Sequence, residues 1–83
     1  MKATLAQGTK LEGVPSGAEL MISHKAQDTL SIFYEDNEKK LRRILLGHPE
    51  IVFLAGNSLH ITGFLKTKEQ ELFSRVRFIV DVG

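Results

Sequence analysis

Residues 36–47, DNEKKLRRILLG, decide the fold. As a helix the segment is well formed: Asp36 or Asn37 caps it, Glu38 sits in the first turn, and Leu41, Ile44 and Leu45 fall on one stripe. Gly47 then ends it, just ahead of Pro49. As a strand it alternates poorly, because Arg42-Arg43 and Ile44-Leu45-Leu46 put like residues side by side. The periodicity therefore favours a helix, and with it an α+β domain. A strand over the same residues would turn 35–38 into a hairpin loop and make the chain all-β, a PH-like or other small barrel.

Downstream, residues 50–55 (EIVFLA) are apolar on both faces, which predicts a strand that is central in its sheet or covered on both sides. Gly56-Asn57-Ser58 is a tight turn, after which Leu59, Ile61, Gly63 and Leu65 alternate with His60, Thr62 and Phe64 as the second arm of a hairpin. A glycine inside a strand, as at Gly63, marks a bulge or a place where another element packs against the backbone. Thr67-Lys68-Glu69-Gln70 has the form of a capping box, and Leu72, Phe73 and Val76 follow on one stripe. The pattern predicts a short helix over 68–76 and a last strand over 77–82.

Upstream, residues 19–24 and 28–34 are two short apolar runs joined by polar Lys25-Ala26-Gln27, a second antiparallel hairpin. Residues 1–17 hold three glycines and a proline without a sustained period, and Val14-Pro15-Ser16-Gly17 is turn chemistry. The expected organisation is a flexible N-terminal arm over 1–17 and a single α+β domain over 18–83, a small antiparallel sheet with two short helices on one face.

Composition sets further bounds. The 83 residues contain no cysteine, which excludes disulfides and thiolate-held zinc or iron–sulfur clusters. No apolar run reaches the roughly 18 to 20 residues of a membrane-spanning helix, and the first residues lack the layout of a signal peptide. As written the chain reads as soluble, a whole protein or the excised domain of a larger, even envelope-attached, one. Net charge is +1, with three Lys against four carboxylates in residues 1–35 and eight basic against six acidic groups in 36–83. That mild polarity is far from the balance of a dedicated nucleic-acid binder.

Little in the sequence points to catalysis. His24, His48 and His60 stand far apart, and no two of them are at helical spacing. His60 suits a solvated strand face, and His48 suits a helix end where a cation complements the dipole. No serine stands in a G-x-S-x-G elbow, and no glycine-rich phosphate loop is present. Glu35, Asp36 and Glu38 cluster, but beside lysines and in a turn or helix start, where capping and solvation account for them. The expectation is a non-enzyme with no catalytic residue, metal or cofactor.

The dense charge run is Lys39, Lys40, Arg42 and Arg43. On a helix these would form a basic ridge opposite Leu41, Ile44 and Leu45, joined by Lys66, Lys68, Arg75 and Arg77. The plain explanation of such a run is the solvated side of an amphipathic helix. No aromatic is interleaved with it along the chain, as base stacking would require.

The order helix, strand, turn, strand, helix, strand resembles that of the BON domain and related ring-building modules of bacterial envelope and secretion systems. The residues that carry the resemblance are 57–67, NSLHITGFLKT: a turn, alternating aliphatics, a glycine, an aliphatic and a threonine opening a helix. It extends over residues 37–82. It implies a non-enzymatic module that binds another protein domain or a membrane surface. The expected function is accordingly interaction or assembly with a protein partner or a second copy, by a sheet edge or a helix face. The alternative is nucleic-acid or anionic-lipid binding through a basic helix face at Lys39, Lys40, Arg42 and Arg43.

Overall fold

The computed structural model describes residues 1–26, 28–66 and 73–83. It is a closed antiparallel barrel of six strands, each paired with its neighbours in sequence. The strands are β1 (Lys2–Leu5), β2 (Glu19–Ala26), β3 (Thr29–Glu35), β4 (Leu41–Phe53), β5 (Ser58–Lys66) and β6 (Phe73–Val82). Closure is made by β1 and β6, which pair Ala3 with Val82, Thr4 with Asp81 and Leu5 with Val80.

No helix occurs among the described residues, so the α+β expectation is corrected to all-β. Residues 37–46, expected as a helix, are the 36–40 turn followed by the first half of β4. The 68–72 part of the second expected helix lies outside the described residues, and from Phe73 onward the chain is already β6. The helix–strand–turn order behind the resemblance to ring-building modules thus loses its first helix. Residues 1–17, expected as an arm, contain the strand that closes the barrel and Leu11, which is buried.

Why β4 hides its alternation is visible in its pairing. Ile44 and Leu46 stand opposite Ile32 and Leu30, facing inward, while Leu41, Arg43 and Leu45 face out. Between Gly47 and Glu50 the register shifts in a β-bulge, with His48 at a positive φ of 48°. Beyond it the odd-numbered Ile51 and Phe53 share a face with inward Ile61 and Leu59. An extra residue in a strand switches which side chains face in. A single period of two therefore cannot run through 41–53. The expectation that 50–55 is central in its sheet or covered on both sides is also corrected, since residues 50–53 pair with β5 and not with β3, and Val52, Phe53 and Leu54 are exposed.

The turn before β4 is set by Asp36. Its Oδ1 accepts the backbone N–H groups of Glu38 and Lys40, each at 2.9 Å, and its backbone carbonyl accepts that of Lys39, also at 2.9 Å. Lys39 takes the positive φ of 62° that such short hairpin loops need at one position.

All six strands feed one core, whose fully buried side chains are Leu5, Leu20, Leu30, Ile32, Leu46, Ile61, Phe78 and Val80. One end of the barrel is stoppered by the 6–18 loop. Leu11 packs into the core, Ala6 N–H donates to the Ile79 carbonyl at 2.9 Å, and Ile79 N–H donates to Thr9 Oγ1 at 3.2 Å. At the other end the β4–β5 hairpin projects, with Gly56 at φ 74° in its turn.

Candidate functional site

The basic run does not form a ridge. Arg42 and Arg43, adjacent in a strand, point to opposite faces. Arg42 turns to the barrel rim, opposite Tyr34, and its Nε donates to Asp36 Oδ2 at 2.8 Å. That bond, with the two backbone donors, holds the Asp36 carboxyl below its ordinary range and raises the Arg42 guanidinium. Lys40 Nζ lies 3.8 Å from Glu38 Oε2, and Lys39 is exposed in the turn. Only Arg43 faces out of the sheet, opposite Phe33 on β3. Of the four expected residues, two are engaged by acids of their own turn.

A different basic and aromatic set is assembled on the outer face of β4, β5 and β6. Outward-facing positions of β5 are His60, Thr62 and Phe64, because Leu59, Ile61 and Gly63 are buried. Their partners on β6 are Ile79, Arg77 and Arg75 respectively. Phe64 thus stands beside Arg75 on one side and Gly47 on the other, and Arg77 follows one same-face step away. Successive outward positions on a strand are about 7 Å apart. Arg75 and Arg77 are exposed, and neither has a carboxylate within ion-pair distance among the described residues. Glu50, Val52, His60, Thr62, Arg75 and Arg77 line a shallow outward depression.

Phe64 is held in place by the bulge. His48 meets it edge to face, ring centroids 6.3 Å apart at 83°. His48 is itself anchored, its N–H donating to the Asp28 carbonyl at 3.0 Å and its Nδ1 contacting the Asp28 carboxylate. Instead of lying at a helix end, this histidine supports an aromatic on the sheet surface.

The pairs Phe33–Arg43 and Phe64–Arg75 are the side-by-side placement of aromatic and basic groups that the run over 39–43 lacks. Phe64 and Arg75 are eleven positions apart and become neighbours only through strand register. The clue in the sequence was the period-two pattern around Gly63, which already placed His60, Thr62 and Phe64 on one face. Among the described residues, no group of three or more His, Cys, Asp or Glu is placed to hold a metal ion. No helix among them is long and apolar enough to cross a membrane.

The chain matches no known protein-family model, no curated protein and no solved structure. Function is therefore argued from the surface itself.

Proposed function

We propose that this barrel is a non-enzymatic module that binds single-stranded nucleic acid across the outer face of β5 and β6. The observation that carries the proposal is the cross-strand pair Phe64–Arg75, with Arg77 one step further along the same face. A half-buried aromatic on an outer face gives a base a surface to stack on, and the arginines of the next strand meet the phosphates. Arginine suits the task, since its planar guanidinium both stacks and donates two parallel hydrogen bonds to a phosphate.

Two features favour a single strand over a duplex. The face is the convex wall of a small barrel, without a projecting helix or ribbon that would enter a major groove. A half-buried phenylalanine beside an arginine also has no partner on a duplex surface, where the bases are stacked away. The protein–partner expectation has less to rest on here: β1 and β6 close the sheet, and no helix face exists among the described residues.

With a net charge of only +1, binding should be weak and salt-sensitive, with a Kd of about 10 to 100 μM at moderate salt. The test is fluorescence anisotropy with labelled oligo-dT and oligo-U at low salt, with anionic vesicles in parallel. Binding to the oligonucleotides that is lost in Arg75→Glu with Arg77→Glu supports the proposal. Oligonucleotide binding that survives the double change, or binding to vesicles alone, refutes it.

A further inference from the structure

We propose that the outer face of β4, β5 and β6 selects guanine, and that Glu50 is the residue that selects it. The inference rests on the single-strand reading above and names the base that the site takes. Glu50 reaches this face only because of the bulge. Before it Gly47 stands opposite Phe64, and after it Glu50 stands opposite Thr62. Had the register of Gly47 run on unshifted, Pro49 would stand opposite Thr62 and Glu50 opposite Ile61, which is fully buried. The extra residue therefore turns a carboxylate from the core side to the outer face, as bulges re-aim side chains beside binding sites. His48 holds the bulge at its positive φ of 48°, its N–H donating to the Asp28 carbonyl at 3.0 Å.

Glu50 completes a row across three strands. Arg77 on β6, Thr62 on β5 and Glu50 on β4 are successive partners, so guanidinium and carboxylate stand on opposite sides of Thr62, about 10 Å apart at the backbone. Arg77 and Glu50 are both exposed. Among the described residues Glu50 makes no ion pair, with Arg77 or with any other cation. The two opposite charges instead line one open depression, with His60 and Thr62 between them.

These charges orient a single strand. Its phosphates run along β6, where Arg75 and Arg77 meet them, and its bases extend over β5 toward β4; the reverse orientation sets phosphates against a carboxylate. One base stacks on Phe64. Its neighbour, one same-face step of about 7 Å along β5, lies over Thr62 with its outer edge at Glu50. An ionised carboxylate accepts hydrogen bonds and donates none. Guanine alone among the bases carries two adjacent donors on its Watson–Crick edge, N1–H and the 2-amino group, which match the two carboxylate oxygens. Cytosine and adenine offer one amino group beside an acceptor. Uracil and thymine offer one N–H between two carbonyls, which the carboxylate repels. As a purine, guanine also reaches further from its sugar toward β4.

The experiment is fluorescence anisotropy of the full chain at low salt with labelled oligo-U carrying one central guanosine, adenosine, cytidine or inosine, beside oligo-U itself. The guanosine strand should bind about tenfold tighter than oligo-U, the usual discrimination of one bidentate contact to a base. Inosine, which lacks the 2-amino group, should fall between them. Glu50→Ala should bring the guanosine strand down to the affinity of oligo-U without weakening oligo-U. Glu50→Gln, which keeps the size and loses the charge, should lose most of the preference as well, and circular dichroism checks the fold of both variants. A wild-type chain that binds all five strands alike, or that prefers adenosine or cytidine, overturns this inference and leaves single-strand binding standing. So does a guanosine preference that survives Glu50→Ala. If none of the five strands binds, both readings fall.

Discussion

Gly63 and Leu46 meet with no room for a methyl group between them. A Cβ on Gly63 would lie 2.5 Å from Leu46 Cγ and 2.8 Å from its Cδ2, and Leu46 is fully buried. The branch point of a buried leucine cannot swing aside, and the carbonyl of Gly47 closes the other side at 3.0 Å. Gly63→Ala should therefore destabilise the barrel by about 1 to 3 kcal/mol, as overpacking does. Urea denaturation measures it. Combining it with Leu46→Ala, which vacates the space, should cost less than the sum of the two single changes.

Asp36 sets the β3–β4 turn as a carboxylate, and its pKa is lowered chiefly by the hydrogen bond from Arg42. A carboxyl depressed in the folded state contributes stability that is complete above its unfolded pKa of about 4. That contribution is lost as the pH falls through the folded value. Wild type should thus exceed Asp36→Ala in melting temperature by a constant margin from pH 7 to about pH 5, and the margin should shrink below pH 4. A margin that stays unchanged into strong acid would show that Asp36 acts without its charge.

Salt dependence distinguishes the arginines. Each phosphate contact on a single strand adds about 0.7 to the slope of log affinity against log salt. Arg77→Ala should reduce that slope by this amount. Arg42→Ala should leave it unchanged, because its guanidinium is committed to Asp36.

Glu50 offers a gain-of-function test. It stands opposite Thr62, which in turn stands opposite Arg77, so it is the acidic group lining the depression. Glu50→Lys should tighten oligonucleotide binding several-fold at low salt, read by the same anisotropy titration. Weaker binding would show that Glu50 orients the site.

Two phenylalanines separate packing from surface chemistry. Phe78 is 1% exposed and Phe53 is 82% exposed. Phe78→Ala should cost about 3 to 5 kcal/mol of stability. Phe53→Ala should stay within about 0.5 kcal/mol of wild type. Thermal or chemical denaturation of the two variants checks both.

Much of the barrel was legible in the chain. The hairpins at 19–34 and 50–65 follow from period-two apolar runs around short polar turns, and the final strand follows from Val76, Phe78, Val80 and Val82. Gly63 was marked by its place inside a strand. Residues 41–46 were misread for a local reason. Leu45 faces solvent between inward Ile44 and Leu46, so three adjacent aliphatics imitate the stripe of a helix, and the bulge at Gly47–Glu50 erases the alternation that would have exposed the error.

The sequence by itself determined which side chains β2, β3 and β5 turn inward, because side-chain alternation is local. It also excluded thiolate and disulfide chemistry outright. Only the tertiary structure decided that the chain closes into a barrel, because pairing Ala3 with Val82 joins residues from opposite ends of the sequence. The same holds for the candidate site. Phe64 and Arg75 share a face through β5–β6 register, while Arg42 and Arg43, adjacent in sequence, are sent to opposite faces by the pleat. Neighbourhood on a sheet surface is set by cross-strand pairing, which no stretch of sequence contains.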